Sequence, residues 1–313
     1  MIAAVDIGGT KIGLGLINDE GEIVAQSQIP TRADGPYSAA LASIVEALDN
    51  LRSDTGNTIS GIGIGCTGPV DPITGVLGEV NFFPHWKGAP LVEDLERAFS
   101  VRAAMENDAD AAALGEAGWG AGQGVSRLVY ITVGTGIGAG VIVDGTVYRG
   151  ANGAHPEIGH HLLDPSGPAC SCGLNGCWES WAAGPGFADW LRRHAPEDYP
   201  HRNVLTAERI CSLAAHGDEW ALRAVKHEAL YLGLGLVNVI NIFLPQLILL
   251  GGSVMKSLPL YIDDIQRTIK SSCGMVPLDG THIAAASLGH DANLIGAARV
   301  WYERIGKAGV GVH

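Results

Sequence analysis

One short unit occurs twice in this chain, and the repetition narrows the folds open to it more than any other feature. Residues 2–7 (IAAVDI) form an apolar run of strand length, Gly8-Gly9-Thr10-Lys11 a tight turn, and residues 12–17 (IGLGLI) a returning run. Shifted by 126 residues, the pattern reappears: Val5-Asp6-Ile7-Gly8-Gly9-Thr10 lies on Ile131-Thr132-Val133-Gly134-Thr135-Gly136, and Leu16-Ile17-Asn18 on Ile142-Val143-Asp144. Register and apolar pattern agree over about fourteen positions, the mark of an internal duplication. In both copies the glycines join two strands, whereas a dinucleotide-binding or P-loop glycine motif opens a helix. A glycine hairpin still presents unpaired N–H groups that can cradle phosphate oxygens. Two such domains facing one another across a cleft would hold a triphosphate from both sides. Asp6, at a strand end, lies where a phosphate-bound Mg²⁺ would sit. Lys11, read alone, is a solvated surface lysine, with a phosphate contact as the alternative.

Further signals continue an α/β alternation. A helix is expected over 37–51, with Leu41, Ile44, Val45 and Leu48 on one face, and a glycine-alternating strand over 61–66. The loop from Asn81 to Trp86 combines polar tips with aromatic faces of the kind that line a sugar site. A helix over 91–98 and a strand over 101–105 lead to Glu106-Asn107-Asp108-Ala109-Asp110, which opens an alanine-rich helix through residue 115. Asn107, Asp108 and Asp110 suit the first turn of a helix on capping grounds alone. Asp108 also reads as a carboxylate at a strand-to-helix junction, placed to act as a general base. Later come helices over 186–194, 207–215 and 219–242, and a strand over 246–250 that runs into Gly251-Gly252, a candidate approach site for adenosine. A strand over 283–286 and a closing helix over 291–304 complete the pattern. The chain, 313 residues long, has room for two domains, expected at 1–118, rejoined by the closing segment 291–313, and at 119–290.

Residues 152–180 concentrate soft metal ligands. Cys170, Cys172 and Cys177 put three of the six cysteines within eight residues, with His160 and His161 upstream and Glu157 and Glu179 on either flank. Three thiolates and an imidazole suit tetrahedral Zn²⁺ in a closed structural site, and Gly173 and Gly176 permit the tight knuckle. Either histidine can be the fourth ligand. A histidine that binds zinc through one nitrogen turns the other toward a second partner, so the metal can orient a substrate-binding imidazole. Closing the knuckle would bring Glu157 and Glu179 toward one pocket. Cys66, Cys211 and Cys273 are scattered among small or apolar neighbours and read as buried small hydrophobes.

The formal charge of −13 disfavours a nucleic-acid partner. No apolar run is long enough to span a membrane, and the N-terminus shows no basic segment or cleavage site. The expected compartment is the cytosol, where clustered cysteines point to metal rather than disulfides.

Together these residues resemble the ROK family of sugar kinases and related repressors: Asp6-Ile-Gly-Gly-Thr-Lys11, Glu106-Asn-Asp108, Thr132-Val-Gly-Thr-Gly136, Glu157-Ile-Gly-His160, Cys170-Ser-Cys172-Gly-Leu-Asn-Gly-Cys177-Trp-Glu179 and Gly251-Gly252. The glycine turns alone are shared with the wider actin/hexokinase superfamily; the histidine–cysteine combination is specific. The resemblance implies an actin-like, ribonuclease H-like two-lobed kinase fold with duplicated β-meander cores and a central cleft. It implies ATP-dependent phosphorylation of a hexose at the 6-hydroxyl, most simply glucose, with Mg²⁺ accompanying the nucleotide. Under it Asp108 is the base, and Asn81, Asn107, Asp108, Glu157, His160 and Glu179 hold the sugar. Asp6, Gly8, Gly9, Thr10, Lys11, Thr132, Gly134, Thr135, Gly136, Gly251 and Gly252 meet the nucleotide, and His160, Cys170, Cys172 and Cys177 bind structural zinc. A homodimer or homotetramer is implied as well. The Ala154-His155-Pro156 run before Glu157 resembles the fructokinase-like branch, while the cysteine knuckle resembles glucokinases and N-acetylmannosamine kinases, so fructose, mannose and N-acetylmannosamine are alternative acceptors. A non-catalytic, sugar-responsive regulator is the alternative of another class; it would need a DNA-binding segment before the first glycine turn, which already begins at Asp6.

Overall fold

The computed structural model describes residues 1–79, 83–200 and 202–306. The chain forms two compact units. One comprises residues 1–130, 140–156 and the chain from Ala286 onward; the other comprises 131–139 and 157–285. The first expected lobe, 1–118 with the closing helix, corresponds to a first unit that extends to residue 130 and also takes in 140–156.

The first unit is built on a five-stranded sheet of order β3-β2-β1-β4-β7. Its strands are β1 (Ile2–Ile7), β2 (Lys11–Ile17), β3 (Ile23–Pro30), β4 (Gly61–Cys66) and β7 (Ala103–Asn107). The meander β1–β3 is antiparallel, and β4 and β7 add in parallel. Period-two alternation sends Ala3, Val5 and Ile7 to one core with Ile44 and Leu48 of α1 (Tyr37–Thr55) and Leu91 and Leu95 of α2 (Leu91–Phe99). Ile2 and Ala4 face the opposite side, where Leu294, Ala297 and Ala298 of α9 (Ala292–Arg304) cover them. The alternating glycines of β4 share that second face and leave room for the backbone of α9. A strand buried on both faces has no polar side, which is why β1 reads as an apolar run interrupted at Asp6 alone. β3 alternates half-buried and exposed residues, as an edge strand does.

The second sheet has the same order, β10-β9-β8-β11-β12. Its strands are β8 (Arg127–Val133), β9 (Ile137–Val143), β10 (Thr146–Val147), β11 (Leu247–Gly251) and β12 (His282–Ala285). β9 begins and ends 126 residues after β2, so the repeat seen in the sequence is a repeat of sheet position. In the second unit α6 (Ala207–Ala215), α7 (Glu219–Phe243) and α8 (Ile262–Ser272) pack in succession. Thr206 and Asp218 cap α6 and α7 through backbone N–H groups three residues on.

Some expectations moved. α3 (Asp108–Trp119) continues four residues beyond 115, because its small residues let it lie against α9. β7 runs through Glu106 and Asn107 rather than stopping at 105, because the buried Glu106 carboxylate is neutralised by distant arginines. α8, a small hairpin of β5 (Val70–Asp71) and β6 (Val76–Leu77), and the five-residue helix α4 (Trp178–Ala182) were not anticipated.

Candidate active site

Asp108 is the first residue of α3, directly after β7. The junction is shaped by capping: Asn107 Oδ1 accepts from the Ala109 N–H at 2.8 Å, and Asp108 Oδ1 takes the same donor at 2.9 Å. Asn107 Nδ2 donates to the Gly68 carbonyl at 3.4 Å. Asn107, expected among the sugar contacts, is therefore buried and used as the helix cap. Burial raises the Asp108 carboxyl above its ordinary value, against the pull of the Ala109 N–H, of His155 and of the Thr67 hydroxyl.

Asp6, near the end of β1, is the second carboxylate of this unit to feel its neighbours. Burial first, then the charge of Asp108, push it up to about 7, while Lys11 and a hydrogen bond from Asn293 pull it down. Two interacting oxygen donors driven toward their neutral forms fit a site that a hard divalent cation would return to the anionic state. The turn beside them is closed by Gly8 N–H to the Lys11 carbonyl at 3.0 Å, and the Thr31 hydroxyl donates to the Gly8 carbonyl at 2.7 Å. Gly9 is half-buried in that turn, and Thr10 and Lys11 are exposed.

A charged support beneath Asp108 escaped the sequence reading. Glu106, 1% exposed, pairs with Arg149 and with Arg304 Nη1, the latter at 3.0 Å. Burial raises the Glu106 carboxyl and the two guanidinium groups oppose this. Two residues beyond Asp108, Asp110 Oδ2 meets His155 Nδ1 at 2.8 Å, both side chains being buried. His155, notable in the sequence only as a departure from glucokinase-like patterns, is thus anchored to the helix that Asp108 begins.

In the second unit the knuckle is assembled. The segment is closed by bridges between Leu162 and Cys177 and between Ala169 and Asn175, with Gly173 and Gly176 at positive φ of 89° and 77°. Among the described residues, ligand atoms of His160, Cys170, Cys172 and Cys177 all lie within 4.8 Å of one another. Cys172 and Cys177 sulfurs are 3.6 Å apart, and Cys170 Sγ is 3.4 Å from His160 Nδ1. The sulfur pair is far beyond the ~2.05 Å of a disulfide and close to the ~3.8 Å edge of a tetrahedron with ~2.3 Å Zn–S bonds. The donor set therefore fits zinc. With Nδ1 turned to the sulfurs, Nε2 of His160 is the nitrogen left for another partner. His161 is elsewhere, its ring stacked on Trp178 at 5.1 Å.

Glu157 is exposed and precedes the 3₁₀ turn Ile158–His160. Glu179 lies in the first turn of α4 and accepts from the Ile137 N–H at 3.0 Å and the Ser171 hydroxyl at 3.1 Å. Gly134 and Thr135 of the second glycine turn form part of the wall of a cavity of about 610 Å³, along with Gly184, Cys211, Ser253 and Lys256. Thr132 is half-buried on β8; Gly251 ends β11, and Gly252 leads from it to Ser253 at the cavity wall. Asn81 lies outside the described residues. No helix among the described residues is long and apolar enough to cross a membrane.

Comparison with known proteins follows this geometry closely. The ROK family profile matches residues 2–304. The chain is 35% identical over 305 residues to the glucokinase of Halalkalibacterium halodurans, covering 93% of this chain and 92% of that one. A ROK family glucokinase from Streptomyces griseus, solved with glucose and AMPPNP, superposes with a TM-score of 0.80 at 30% identity, over 95% of this chain and 97% of the other. The xylose repressor of Bacillus subtilis is 28% identical over 299 residues, covering 95% of this chain and 75% of the repressor.

Proposed function

The chain belongs to the ROK family, and from that premise we infer that it is an ATP-dependent sugar kinase that phosphorylates glucose at the 6-hydroxyl. The observation that carries the reading is Asp108, a half-buried carboxylate at the head of a capped helix with Asp6 and the first glycine turn in the same unit. Phosphoryl transfer asks a protein mainly for positioning and charge neutralisation. In the proposed reaction the sugar oxygen attacks the γ-phosphorus, the bond to ADP breaks, and Asp108 accepts the hydroxyl proton. Asn81, Asn107, Glu157, His160 and Glu179 hold the other hydroxyls. The Gly8–Thr10 and Gly134–Gly136 turns, with Lys11, hold phosphate oxygens, and the 610 Å³ cavity beside Gly251-Gly252 takes the adenosine. Mg²⁺, arriving with the nucleotide, would neutralise phosphate charge near Asp6. Zinc on His160 and the three cysteines would fix the knuckle and, through it, the direction of the His160 imidazole.

A coupled ATP-consumption assay over glucose, fructose, mannose, N-acetylmannosamine and N-acetylglucosamine tests this. Glucose is expected to give the highest kcat/KM, and a preference for fructose would follow the His155-Pro156-Glu157 run instead. The repressor match supports a second reading, a sugar-responsive regulator without catalysis. Under that reading the sugar binds and no ATP is consumed with any acceptor. An exposed Cys172 and a half-buried Cys170 in the knuckle favour a reducing compartment, hence the cytoplasm. We also propose a homodimer or homotetramer; exposed Leu222, Leu230 and Ile242 on α7 support it, and light scattering coupled to gel filtration reads the mass.

A further inference from the structure

Glu179 has engagements that a sugar-holding role does not explain. Oε2 accepts from the Ile137 N–H at 3.0 Å, and Ile137 is the first residue after the Gly134-Thr135-Gly136 turn. Oε1 accepts from Ser171 Oγ at 3.1 Å, and Ser171 sits between Cys170 and Cys172. One carboxylate therefore ties the second glycine turn to the cysteine knuckle. A second tie lies five residues on. α5 (Gly184–His194) begins with Gly184, whose N–H donates to the Gly134 carbonyl at 2.8 Å. The Ala183 N–H, in turn, donates to the Glu179 carbonyl at 2.9 Å. The turn is thus held at both ends by the short segment 177–184, which starts at a metal-ligating cysteine. Across the turn itself the Gly134 N–H donates to the Gly136 carbonyl at 2.9 Å. A β-carbon on Gly136 would stand 2.5 Å from Glu179 Oε2, so a glycine there lets the carboxylate reach its donor.

We propose that Glu179 is a positioning residue for the nucleotide: together with Gly184 it transmits the folded knuckle to the Gly134–Gly136 turn, so that nucleotide affinity depends on the knuckle even without sugar. The physical reason is preorganisation. A glycine-rich turn loses more conformational freedom than any other when a ligand orders it, and an external brace removes part of that cost before binding. The inference rests on ATP being the nucleotide, as proposed above.

Two readouts test it, neither of which requires turnover. The first is the affinity for Mg·AMPPNP by calorimetry with no sugar present. Glu179→Ala is expected to bind about tenfold more weakly, and Ser171→Ala about twofold, because the first removes both ties made by the carboxylate and the second only the one to the knuckle. Glu179→Gln keeps an acceptor for the Ile137 N–H and should recover most of the loss. The second readout is hydrogen exchange of the Ile137 amide in the nucleotide-free protein, which should quicken in Glu179→Ala and stay slow in Glu179→Gln. Zinc content and circular dichroism show that the knuckle remains folded, and Ser171→Ala leaves every proposed sugar and metal ligand in the chain. Unchanged Ile137 exchange and nucleotide affinity in Glu179→Ala, with sugar affinity lost, would reduce Glu179 to a sugar ligand and overturn the proposal. A wild-type protein that does not bind Mg·AMPPNP would instead sink the kinase reading, while the exchange experiment still decides the role of Glu179.

Discussion

The two glycine turns descend from one pattern and are stabilised in different ways. The first carries its own charges: Asp6 precedes it, Lys11 closes it, and the Thr31 hydroxyl seals its Gly8 carbonyl at 2.7 Å. At the matching places the second has Thr132 and Ile137, neither ionisable. Its carboxylate comes from another element, Glu179, and grips the Ile137 N–H rather than a cation. Duplication kept the backbone device, a glycine turn between two strands, and let the supporting chemistry diverge. One copy stands beside two interacting carboxylates, Asp6 and Asp108; the other leans on a knuckle fit for zinc.

The largest expected break lies on the first side. Asp108→Asn should lower kcat by roughly 10²–10⁴-fold with sugar affinity largely kept, read by steady-state kinetics and a sugar titration. Near-normal turnover would remove Asp108 from the role of base. The corresponding blow on the other side is Cys172→Ala or chelation. Because metal binding is coupled to folding, the second unit should melt at least ten degrees lower, on the order expected for a loss of several kcal/mol. A metal-free protein with unchanged melting and full activity contradicts the zinc assignment.

Removing support under Asp108 ranks next. Arg149→Met leaves the buried Glu106 with Arg304 alone and should cost up to about 3–5 kcal/mol in a denaturant titration, the range for breaking a buried pair. No loss of stability would mean that the pair is dispensable.

The smallest effect sharpens the comparison most. Asp6 is held at about 7 against an ordinary 3.8, so the folded chain keeps a proton that the unfolded chain releases between those values. That contribution to stability is complete below 3.8 and is lost as pH rises through about 7. Nucleotide-free Asp6→Asn should therefore match wild type below about pH 4 and melt a few degrees higher at pH 8. It should also bind Mg·AMPPNP more weakly. A constant difference in melting temperature across this window would show that Asp6 titrates normally.

Much of this was legible in the sequence because its signals were local. The knuckle places three sulfurs within eight residues, and β2 and β9 repeat the same apolar–glycine alternation. Capping chemistry announced the start of α3 at Asn107-Asp108. What stayed hidden depends on residues far apart. Arg149 and Arg304 reach Glu106 across 43 and 198 positions, and no periodicity marks such a pairing. α8 buries Ile265 and Ile269 among polar neighbours, too narrow a stripe to stand out. The choice between His160 and His161 turned on the 3₁₀ turn that points one imidazole at the sulfurs and lays the other on Trp178.

The closing helix α9 has a consequence for biosynthesis. Leu294, Ala297 and Ala298 complete the packing over Ile2, Ala4 and Ile17, so β1 is synthesised long before the helix that dries one of its faces. The second unit comprises residues 131–139 and 157–285, all of them synthesised before that helix. During translation the C-terminal half of the message therefore finishes a domain before the N-terminal half can, and the nascent first sheet is the part most in need of a chaperone.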